Sequence, residues 1–443
     1  MSERLACGNT EGAGPTWQNR RVIEIADLFC GAGGTSTGAV SAAMALGFNP
    51  RLTAVNHWPT AVKTHASNHP HARHICASVD SLNPREVMAG RKLDLLWASP
   101  ECVHHSRARG GTPMSEQSRA SGHCVTRWAE ALLPSVILVE NVPEFIEWGP
   151  LGASGRPLKR NRGKTFTAWI RMLESLGYRV DWRILCAADY GDPTTRRRLF
   201  VQAVRGRRCI VWPEPTHRKG CGSHPWRAAR EIIDWSLPST SIFSRSRPLA
   251  GNTLRRIQAG LQRFGLAPYI VAWDHQSGSG LWSSDAPLST VTTKARHGIV
   301  QPFLIKLRGT SENHIERSSA SLGEPLPTIT AGGNHHGLVQ PYLVKYYGSG
   351  IGQPVTAPLD TVTTKPRVGL VEPELMVDGE LCRLDIRFRM LQPHELAAAQ
   401  GFPVDYKFSG TKADVVKQIG NAVPCGLSRA LVSAVLRVHG GDS

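Results

Sequence analysis

Apolar runs alternate with segments of helical spacing through the first half of the chain. The runs that predict strands lie at 22–29, 51–55, 74–77, 93–98, 136–139, 179–185 and 198–203. The segments that predict helices lie between them, at 38–46, 60–68, 126–133 and 166–176. This alternation is typical of a doubly wound α/β sheet of mostly parallel strands, in which ligands bind at the carboxyl ends of the strands.

The pattern changes after about residue 209, where Pro, Ser, Gly and Trp become frequent and the helical spacing fades. Residues 268–373 carry an imperfect internal repeat, whose units contain Pro-Leu-x-Thr-(Val/Ile)-Thr beginning at Pro287, Pro325 and Pro358. Short β-branched segments between Pro and Gly turns predict a β-rich domain. Helical spacing then returns, and segments 389–400 and 425–438 predict helices.

These changes of pattern divide the chain into four parts. We expect a disordered leader at 1–20, an α/β domain at 21–235, a β-rich domain at 236–385, and closing helices at 386–443. The leader is rich in Gly, Asn and Arg, a composition that does not build a core. The last apolar helix is expected to pack back on the first domain.

Composition indicates a polyanionic partner. The 443 residues include 52 Lys and Arg against 35 Asp and Glu, a formal charge of +17, and the simplest partner for such an excess is nucleic acid. The ten cysteines include no Cys-x-x-Cys pair, which argues against a zinc site and a disulfide framework and for a reducing, cytoplasmic compartment. No apolar run approaches the roughly 20 residues that span a bilayer, so we expect no membrane association.

A glycine-rich turn follows the first predicted strand. Residues Cys30-Gly-Ala-Gly-Gly34 separate that strand from a predicted helix. Glycines allow close approach of a ligand to the backbone, and a helix N-terminus offers amide donors. The turn therefore favours a nucleotide-like cofactor, and a tight turn without a ligand is the alternative.

Two further strand ends carry reactive side chains. Cys102 follows the run at 93–98, where nearby arginines and histidines favour a thiolate nucleophile and Glu101 opposes one; a structural cysteine is the alternative. Glu140 ends the run at 136–139 as a possible proton donor or base-edge partner, against a surface or capping acid. Three arginines, 196–198, enter the next strand and could bind phosphate or a base carbonyl, or form a solvated edge.

The repeat region contains recurrent basic side chains. These are Lys294, Lys306, Lys345, Lys365 and His335. They would suit contacts to a nucleic-acid backbone or groove, whereas a repeat kept for packing alone is the other interpretation.

Together, five segments resemble the motifs of the DNA (cytosine-5)-methyltransferase family, in the family's order. They are Asp27-Leu-Phe-Cys-Gly-Ala-Gly-Gly34, Glu140-Asn141-Val142, Arg196-x-Arg198, the segment from Arg389 and Glu395 to Gln400-Gly-Phe-Pro403, and Gly420-Asn421-Ala-Val. The resemblance covers nearly the whole chain outside the leader and the repeats. It implies a Rossmann-like methyltransferase domain with a β-rich target-recognition domain, acting on duplex DNA, and we expect a monomer in a bacterial or phage-infected cell.

The resemblance also implies roles for individual residues. S-adenosylmethionine would bind over the turn from Phe29 to Gly34, with Asp80 at the adenine and Asn56 in the place of the family's ribose-binding acid. The positions implied at the cofactor are Asp27, Phe29, Gly31, Gly33, Gly34, Asn56, Asp80 and Asn421. On a flipped cytosine, Cys102 would attack C6, Glu140 would hold the N3 and N4 edge, and Arg198, beside Arg196, would hold O2.

Several positions depart from the family pattern. The nucleophile lies between Glu101 and Val103, where the family has Pro and Gln, and His105 replaces a Phe. With His104 these changes make the pocket more polar than usual, and Thr194 replaces the glutamine of the arginine motif. Two alternatives follow: the same chemistry on RNA, a premodified cytosine or another alkyl donor, and a catalytically silent DNA-binding protein. The joint presence of Cys102, Glu140 and Arg198 favours catalysis.

Overall fold

The computed structural model describes most of the α/β domain and parts of the β-rich region. The described residues are 20–100, 117–150, 159–219, 224–243, 245–249, 257, 269–272, 281–291, 293, 297–307, 319–321, 342–345, 353–354, 368–371, 374–377 and 380–439. The predicted leader up to residue 19, the nucleophile segment with Glu101, Cys102, His104 and His105, and most of the repeat region lie outside these ranges.

A seven-stranded sheet forms the centre of the α/β domain. Its strands are β1 (Val22–Leu28), β2 (Asn49–Asn56), β3 (Arg73–Cys76), β4 (Leu95–Ala98), β5 (Val136–Asn141), β6 (Tyr178–Cys186) and β7 (Arg197–Arg205). Their order is β3-β2-β1-β4-β5-β7-β6. The pairs from β3 to β5 are parallel, and β7 runs antiparallel to β5 and β6. The predicted doubly wound sheet is confirmed.

Helices cover both faces of this sheet. They are α1 (Gly34–Ala45), α2 (Pro59–Asn68), α3 (Pro84–Met88), α4 (Gln117–Leu132), α5 (Lys164–Ser175) and, at the end of the chain, α8 (Cys425–His439). The helices α6 (Pro393–Ala399) and α7 (Lys412–Asn421) pack instead in a separate buried cluster with Leu288 and Val291. On one face Trp128 and Trp169 of α4 and α5 pack in a buried cluster, and on the other α1 and α8 pack over Trp97 and Phe200. The last helix therefore returns to the first domain, as expected.

The segment after the β-rich region differs from the prediction. Arg389 was expected in a helix, but it lies near the end of an eleven-residue strand, Glu380–Met390, and α6 begins only at Pro393. The alternation of apolar and charged side chains in this strand has the period of a strand, and Pro393 at the first turn of α6 fixes where the helix begins.

The described part of the β-rich region consists of antiparallel strands. The largest sheet contains Tyr269–Ala272, Leu281–Ser283, His297–Leu307, Glu374–Val377 and Glu380–Met390, with two short strands paired at its side. A separate three-stranded sheet contains Tyr342–Lys345, Gln353–Pro354 and Val368–Val371. The β-rich character that the repeats predicted is confirmed.

One stretch of the described chain, Lys412–Val438, is long and apolar enough to cross a membrane by length and composition alone. It consists of α7 and α8, and 67% of its most apolar part is buried inside the protein. This burial is typical of the core helices of a folded domain.

Candidate active site

The glycine turn lies at the carboxyl edge of the sheet, beside the ends of β2 and β4. Cys30 donates its amide to Val55 at 3.1 Å, and Ser99, just past β4, donates to Leu28 at 3.1 Å. Phe29 has a φ of 61°, a left-handed conformation that is rare for a bulky residue. Such strained residues concentrate at ligand sites, and here the strain turns the chain sharply between β1 and α1.

The glycines of this turn divide into two kinds. A Cβ on Gly33 would lie 2.6 Å from the Tyr406 hydroxyl, and one on Gly34 would collide with the Val423 carbonyl oxygen. Among the residues that the structure describes, a Cβ on Gly31 would meet only the Phe29 carbonyl oxygen, at 4.0 Å. Gly33 and Gly34 thus pack against the closing segment, and Gly31 faces space that no described residue fills and that a ligand could occupy.

Asp27, near the end of β1, is a buried carboxyl of which only one oxygen has a hydrogen-bond partner among the described residues. Its Oδ2 accepts a hydrogen bond from the Ser36 hydroxyl at 2.6 Å. Its Oδ1 is buried and has no hydrogen-bond partner among the residues that the structure describes. Burial raises the pKa of Asp27 to about 7, and the Ser36 hydrogen bond partly opposes the rise. A carboxyl that can ionise just before the turn, together with the open side of Gly31, fits a cationic, nucleotide-like cofactor near this turn.

Asn56 and Asp80 lie at the ends of neighbouring segments of the same edge. Asn56 Oδ1 accepts the Trp58 amide at 2.8 Å and so orders the chain just before α2. Asp80 is exposed at the surface, and Cys124 of α4 donates its thiol to the Asp80 carboxylate. Arg127, one turn further along α4, donates to the Asp80 carbonyl at 3.0 Å. The helix that follows the nucleophile segment is therefore tied directly to a predicted adenine contact.

Two of these tethers were missed in the sequence. Cys124 and Arg127 belong to an amphipathic helix in which neither residue stands out. Their partners precede them by 44 and 47 residues. Only the packing of α4 against the turn at Asp80 brings them together.

Glu140 and Arg198 form a buried ion pair at the ends of adjacent strands. Arg198 Nε lies 3.2 Å from Glu140 Oε1, and only 16% and 9% of the two side chains are exposed. Burial raises the pKa of Glu140, and the guanidinium groups of Arg198 and Arg196 partly oppose the rise. A carboxyl of this kind can hold a proton at higher pH than an exposed glutamate and can donate it to a bound base.

Asn141, next along β5, connects this pair to the nucleophile segment. Its Nδ2 donates to the Pro100 carbonyl at 3.2 Å, and its Oδ1 accepts the Val142 amide at 2.9 Å. Pro100 is the last described residue before the segment with Cys102. The buried amide thus holds the end of β4 and the end of β5 together.

Arg196 is placed differently from Arg198. It is buried, and its Nη1 donates to the carbonyls of Val291 and Gly420, at 3.0 Å each. Val291 belongs to the first repeat unit, and Gly420 lies in α7. Arg196 therefore links the arginine motif to both the β-rich region and the closing helices, while Asn421, the last residue of α7, is exposed.

The first repeat unit packs on the arginine motif. Leu288 donates its amide to Pro193 at 2.9 Å and accepts from the Thr195 amide at 2.7 Å. Ser289 pairs with the buried His297 Nε2 at 2.8 Å, which fixes the unit against the following strand. This part of the first unit makes packing contacts, while the second and third Pro-Leu-x-Thr segments lie outside the described residues. The side chains of the predicted basic residues lie outside them too: Lys294, Lys306, Lys345, Lys365 and His335.

Asp192 was not singled out in the sequence, yet it fastens the last helix. Its carboxylate accepts the amides of Gly426 and Leu427, at 3.0 and 2.9 Å, in the first turn of α8. Burial raises the pKa of Asp192 to about 7, and these two amides partly oppose the rise. Free amides at a helix start are the only sequence signal that could have suggested such a partner.

Arg389 and Glu395 form a second buried pair, near the start of α6. The guanidinium donates to both carboxylate oxygens at 2.8 Å, and Glu395 also accepts the Asp234 amide at 2.8 Å. The pair joins the end of the Glu380–Met390 strand to α6, so this motif supports the closing segment.

A central sheet with one antiparallel strand, a glycine turn after β1 and a buried Glu–Arg pair after β5 define a Rossmann-like methyltransferase. Residues 23–220 and 330–437 match the model of the C-5 cytosine-specific DNA methylase family. The chain belongs to this family, as the motifs of the sequence predicted.

Individual relatives agree with this assignment. The type II methylase M.HgiDII of Herpetosiphon aurantiacus is 24% identical over 93% of this chain and 95% of its own length. The type II methyltransferase M.AgeI of Thalassovita gelatinovora is 30% identical over 45% of this chain and 43% of its own length. The rice DNA (cytosine-5)-methyltransferase 1A is 23% identical over 94% of this chain, which spans only 28% of that protein.

Solved structures show the same fold. The Entamoeba histolytica methyltransferase EhMeth superposes with a TM-score of 0.52 over 94% of this chain and 99% of its own, at 13% identity.

Proposed function

We propose that the protein transfers a methyl group from S-adenosylmethionine to C5 of cytosine in duplex DNA. The observation that carries the proposal is the buried Glu140–Arg198 pair, 3.2 Å apart, at the strand end that Asn141 ties to Pro100. Activation of cytosine needs a proton at N3 and a hydrogen-bond donor at O2, two atoms on one edge of the base. A carboxyl with a raised pKa can supply the proton, and the guanidinium beside it can donate to O2.

The chemistry begins with a nucleophile, because C5 of cytosine is itself a poor one. The Cys102 thiolate adds to C6 while Glu140 supplies a proton to N3, and Arg198 donates to O2. Electron density then accumulates at C5, which takes the methyl group. Removal of the C5 proton by a base breaks the Cys102–C6 bond and restores the aromatic ring. The role of Cys102 rests on the family resemblance.

The cofactor residues are proposed from the family resemblance, and the open side of Gly31 supports them. Phe29 and Gly31 would line the nucleotide, with Asp80 at the adenine and Asn56 beside the ribose, whereas Gly33 and Gly34 shape the turn through their packing. S-adenosylmethionine supplies an electrophilic methyl group when bound. Because the target carbon is buried in stacked DNA, the base must be flipped out of the helix.

Arg196 is proposed as a positioning residue. Its hydrogen bonds to Val291 and Gly420 hold the motif in place, so that Arg198 is presented to Glu140. The expectation of a direct base contact by Arg196 is thereby replaced with an indirect role.

Duplex DNA is the proposed partner. The +17 charge suits a polyanion, and the names of relatives such as the type II methylase M.HgiDII suggest a bacterial restriction-modification setting. We propose that a monomer acts in the cytoplasm, where that DNA is found.

The test is nucleoside mass spectrometry of DNA and RNA from cells that express the protein, beside Cys102→Ser and Glu140→Gln. We expect 5-methylcytosine in DNA only with the intact protein. Unmodified DNA with modified RNA, or a base heavier than 5-methylcytosine, would contradict the proposal and favour an altered target or alkyl group. The polar neighbours Glu101, His104 and His105 motivate that comparison.

A further inference from the structure

Behind the glycine turn, four polar side chains form one chain of hydrogen bonds. Ser36 Oγ lies 2.6 Å from Asp27 Oδ2, and His65 Nε2 lies 2.9 Å from Ser36 Oγ. On the other side of its ring, His65 Nδ1 lies 2.8 Å from His74 Nε2. The four residues come from β1, α1, α2 and β3, so the hydrogen-bond chain links four elements of the sheet and its helices.

The Asp27 end of this hydrogen-bond chain is buried, and the His74 end is partly exposed to solvent. Asp27, Ser36 and His65 are at most 1% exposed, whereas His74 is only half-buried. The other titratable groups around Asp27 and His65 are Cys30, His69 and Tyr406. His69 hydrogen-bonds Thr37 at 3.1 Å, and Tyr406 donates to the Ala32 carbonyl at 2.5 Å. Both side chains therefore contact the glycine turn or the start of α1 and are not part of the hydrogen-bond series from Asp27 to His74.

Hydrogen-bond chemistry allows this chain two directions. With Asp27 ionised, Ser36 donates to Asp27, His65 Nε2–H donates to Ser36, and His74 Nε2–H donates to His65. With Asp27 protonated, its O–H donates to Ser36, Ser36 donates to His65 Nε2, and His65 Nδ1–H donates to His74. Both imidazoles are neutral in both states, in agreement with the lowered pKa of His65 and of His74 that burial causes.

We propose that Ser36, His65 and His74 form a proton relay that sets the charge of Asp27, and that this charge lets the turn distinguish a cationic sulfonium ligand from its uncharged thioether. The inference rests on the proposed function, because it concerns S-adenosylmethionine and its product S-adenosylhomocysteine.

The relay balances without any other reagent. A proton from solvent adds at His74 Nδ1, the His74 Nε2 proton moves to His65 Nδ1, the His65 Nε2 proton moves to Ser36, and the Ser36 proton moves to Asp27 Oδ2. Every group, Asp27 included, ends neutral, because the buried carboxylate has become a carboxylic acid. The reverse sequence returns the proton to solvent, so Asp27 can titrate while it stays buried.

The charge matters because Asp27 lies near the end of β1, two residues before Phe29 of the cofactor turn. Oδ1 has no hydrogen-bond partner in the described part of the chain, and burial raises the pKa of Asp27 to about 7. Above that pH the site carries a negative charge in a medium of low dielectric, where a cation is attracted strongly. Below that pH Asp27 is neutral, and the turn no longer prefers the sulfonium over the thioether. The preference for the methyl donor should therefore rise with pH.

The test is calorimetric titration of the full chain with S-adenosylmethionine and with S-adenosylhomocysteine from about pH 6 to about pH 8. We expect the ratio of the two dissociation constants to shift about tenfold toward the sulfonium as pH rises, which corresponds to one unit of pKa displacement. Asp27→Asn should remove the pH dependence. Ser36→Ala and His65→Leu should move its midpoint to higher pH, because each takes away support for the ionised carboxyl.

His71→Leu is the matched control, since His71 is an exposed histidine between α2 and β3 that lies outside the relay, and it should leave the midpoint in place. If Asp27→Asn does not fold, infrared difference spectra recorded at several pH values can follow the carbonyl band of the protonated Asp27 carboxyl instead. The readout is then the change in the midpoint of that titration between wild type and Ser36→Ala. Two bound ligands with a pH-independent ratio would overturn the relay and leave the proposed function standing. Failure of both ligands to bind at any pH would overturn the proposed function and this inference with it.

Discussion

Arg196 donates to the carbonyl of Gly420 at 3.0 Å, across 224 residues of sequence. The same nitrogen reaches Val291, so one buried guanidinium connects the arginine motif, the first repeat unit and the closing helices. We expect the geometry of the neighbouring Glu140–Arg198 pair to depend on this connection, because Arg198 is only two residues away on the same segment.

We expect Arg196→Lys to lower the free energy of unfolding by about 1–3 kcal/mol, because a single ammonium cannot reproduce the planar guanidinium between two buried carbonyls. DNA methylation should fall through kcat more than through the affinity for S-adenosylmethionine, since the turn at Gly31 is not touched. Urea denaturation and single-turnover kinetics measure the two effects. Arg197→Lys, at the exposed neighbouring position, is the control, and an equal loss there would contradict the positioning role.

The protonation of Glu140 gives a second prediction. Its pKa is raised by burial, so the proton that it donates is retained at low pH and lost as pH rises through the raised pKa. Arg198→Gln removes a positive charge that opposes the rise, and the alkaline limb of the kcat/KM profile should move to higher pH. Profiles of wild type and Arg198→Gln, with Arg197→Gln as control, measure the shift. An unmoved or lowered limb would show that the two groups are not coupled.

The helix pair α1 and α8 leads to a third prediction. A Cβ on Gly38 would lie 2.5 Å from the Cys425 carbonyl oxygen and 2.6 Å from the Arg429 amide nitrogen. Gly38→Ala should therefore destabilise the protein by about 1–3 kcal/mol, although alanine is the better helix former. Thermal denaturation tests the change against Ser41→Ala on the same helix. A stabilised Gly38→Ala protein would mean that the two helices are further apart than described.

Asp192 gives the fourth prediction, which concerns pH. Because its pKa in the folded protein is raised from 3.8 to about 7, the folded state binds a proton that the unfolded state has released. The resulting stability is present below about pH 4 and is lost as pH rises to about 7. Asp192→Asn keeps an oxygen that can accept an amide hydrogen bond from Gly426 or Leu427 but cannot titrate.

The stability of wild type relative to Asp192→Asn should therefore fall across that pH window. Urea denaturation of both proteins at several pH values measures the difference. Asp192→Ala should be the least stable of the three, because two amides at the start of α8 lose their acceptor. A pH-independent difference between wild type and Asp192→Asn would show that Asp192 does not titrate in this range.

The departures from expectation share one cause. Arg389 was expected in a helix but lies near the end of a strand. Gly33 and Gly34, expected at the cofactor, also pack against Tyr406 and Val423. The Leu, Ala and Gln content of residues 389–400 favours a helix, but Pro393 fixes where that helix begins. The pairing of Arg389 with Ile299 in the neighbouring strand overrides this local preference.

The sequence by itself determined the alternation of strands and helices, the glycine turn after β1, the Glu140 and Arg198 motifs and the family. Those features depend on the local periodicity of apolar residues and on the residue types within short segments. Only the tertiary structure decided what Arg196, Asp192, Gly34 and the Ser36–His65–His74 chain contact. Their partners come from other elements, in several cases more than 200 residues away, and hydrogen bonds and close packing depend on distances in space that no spacing along the chain records.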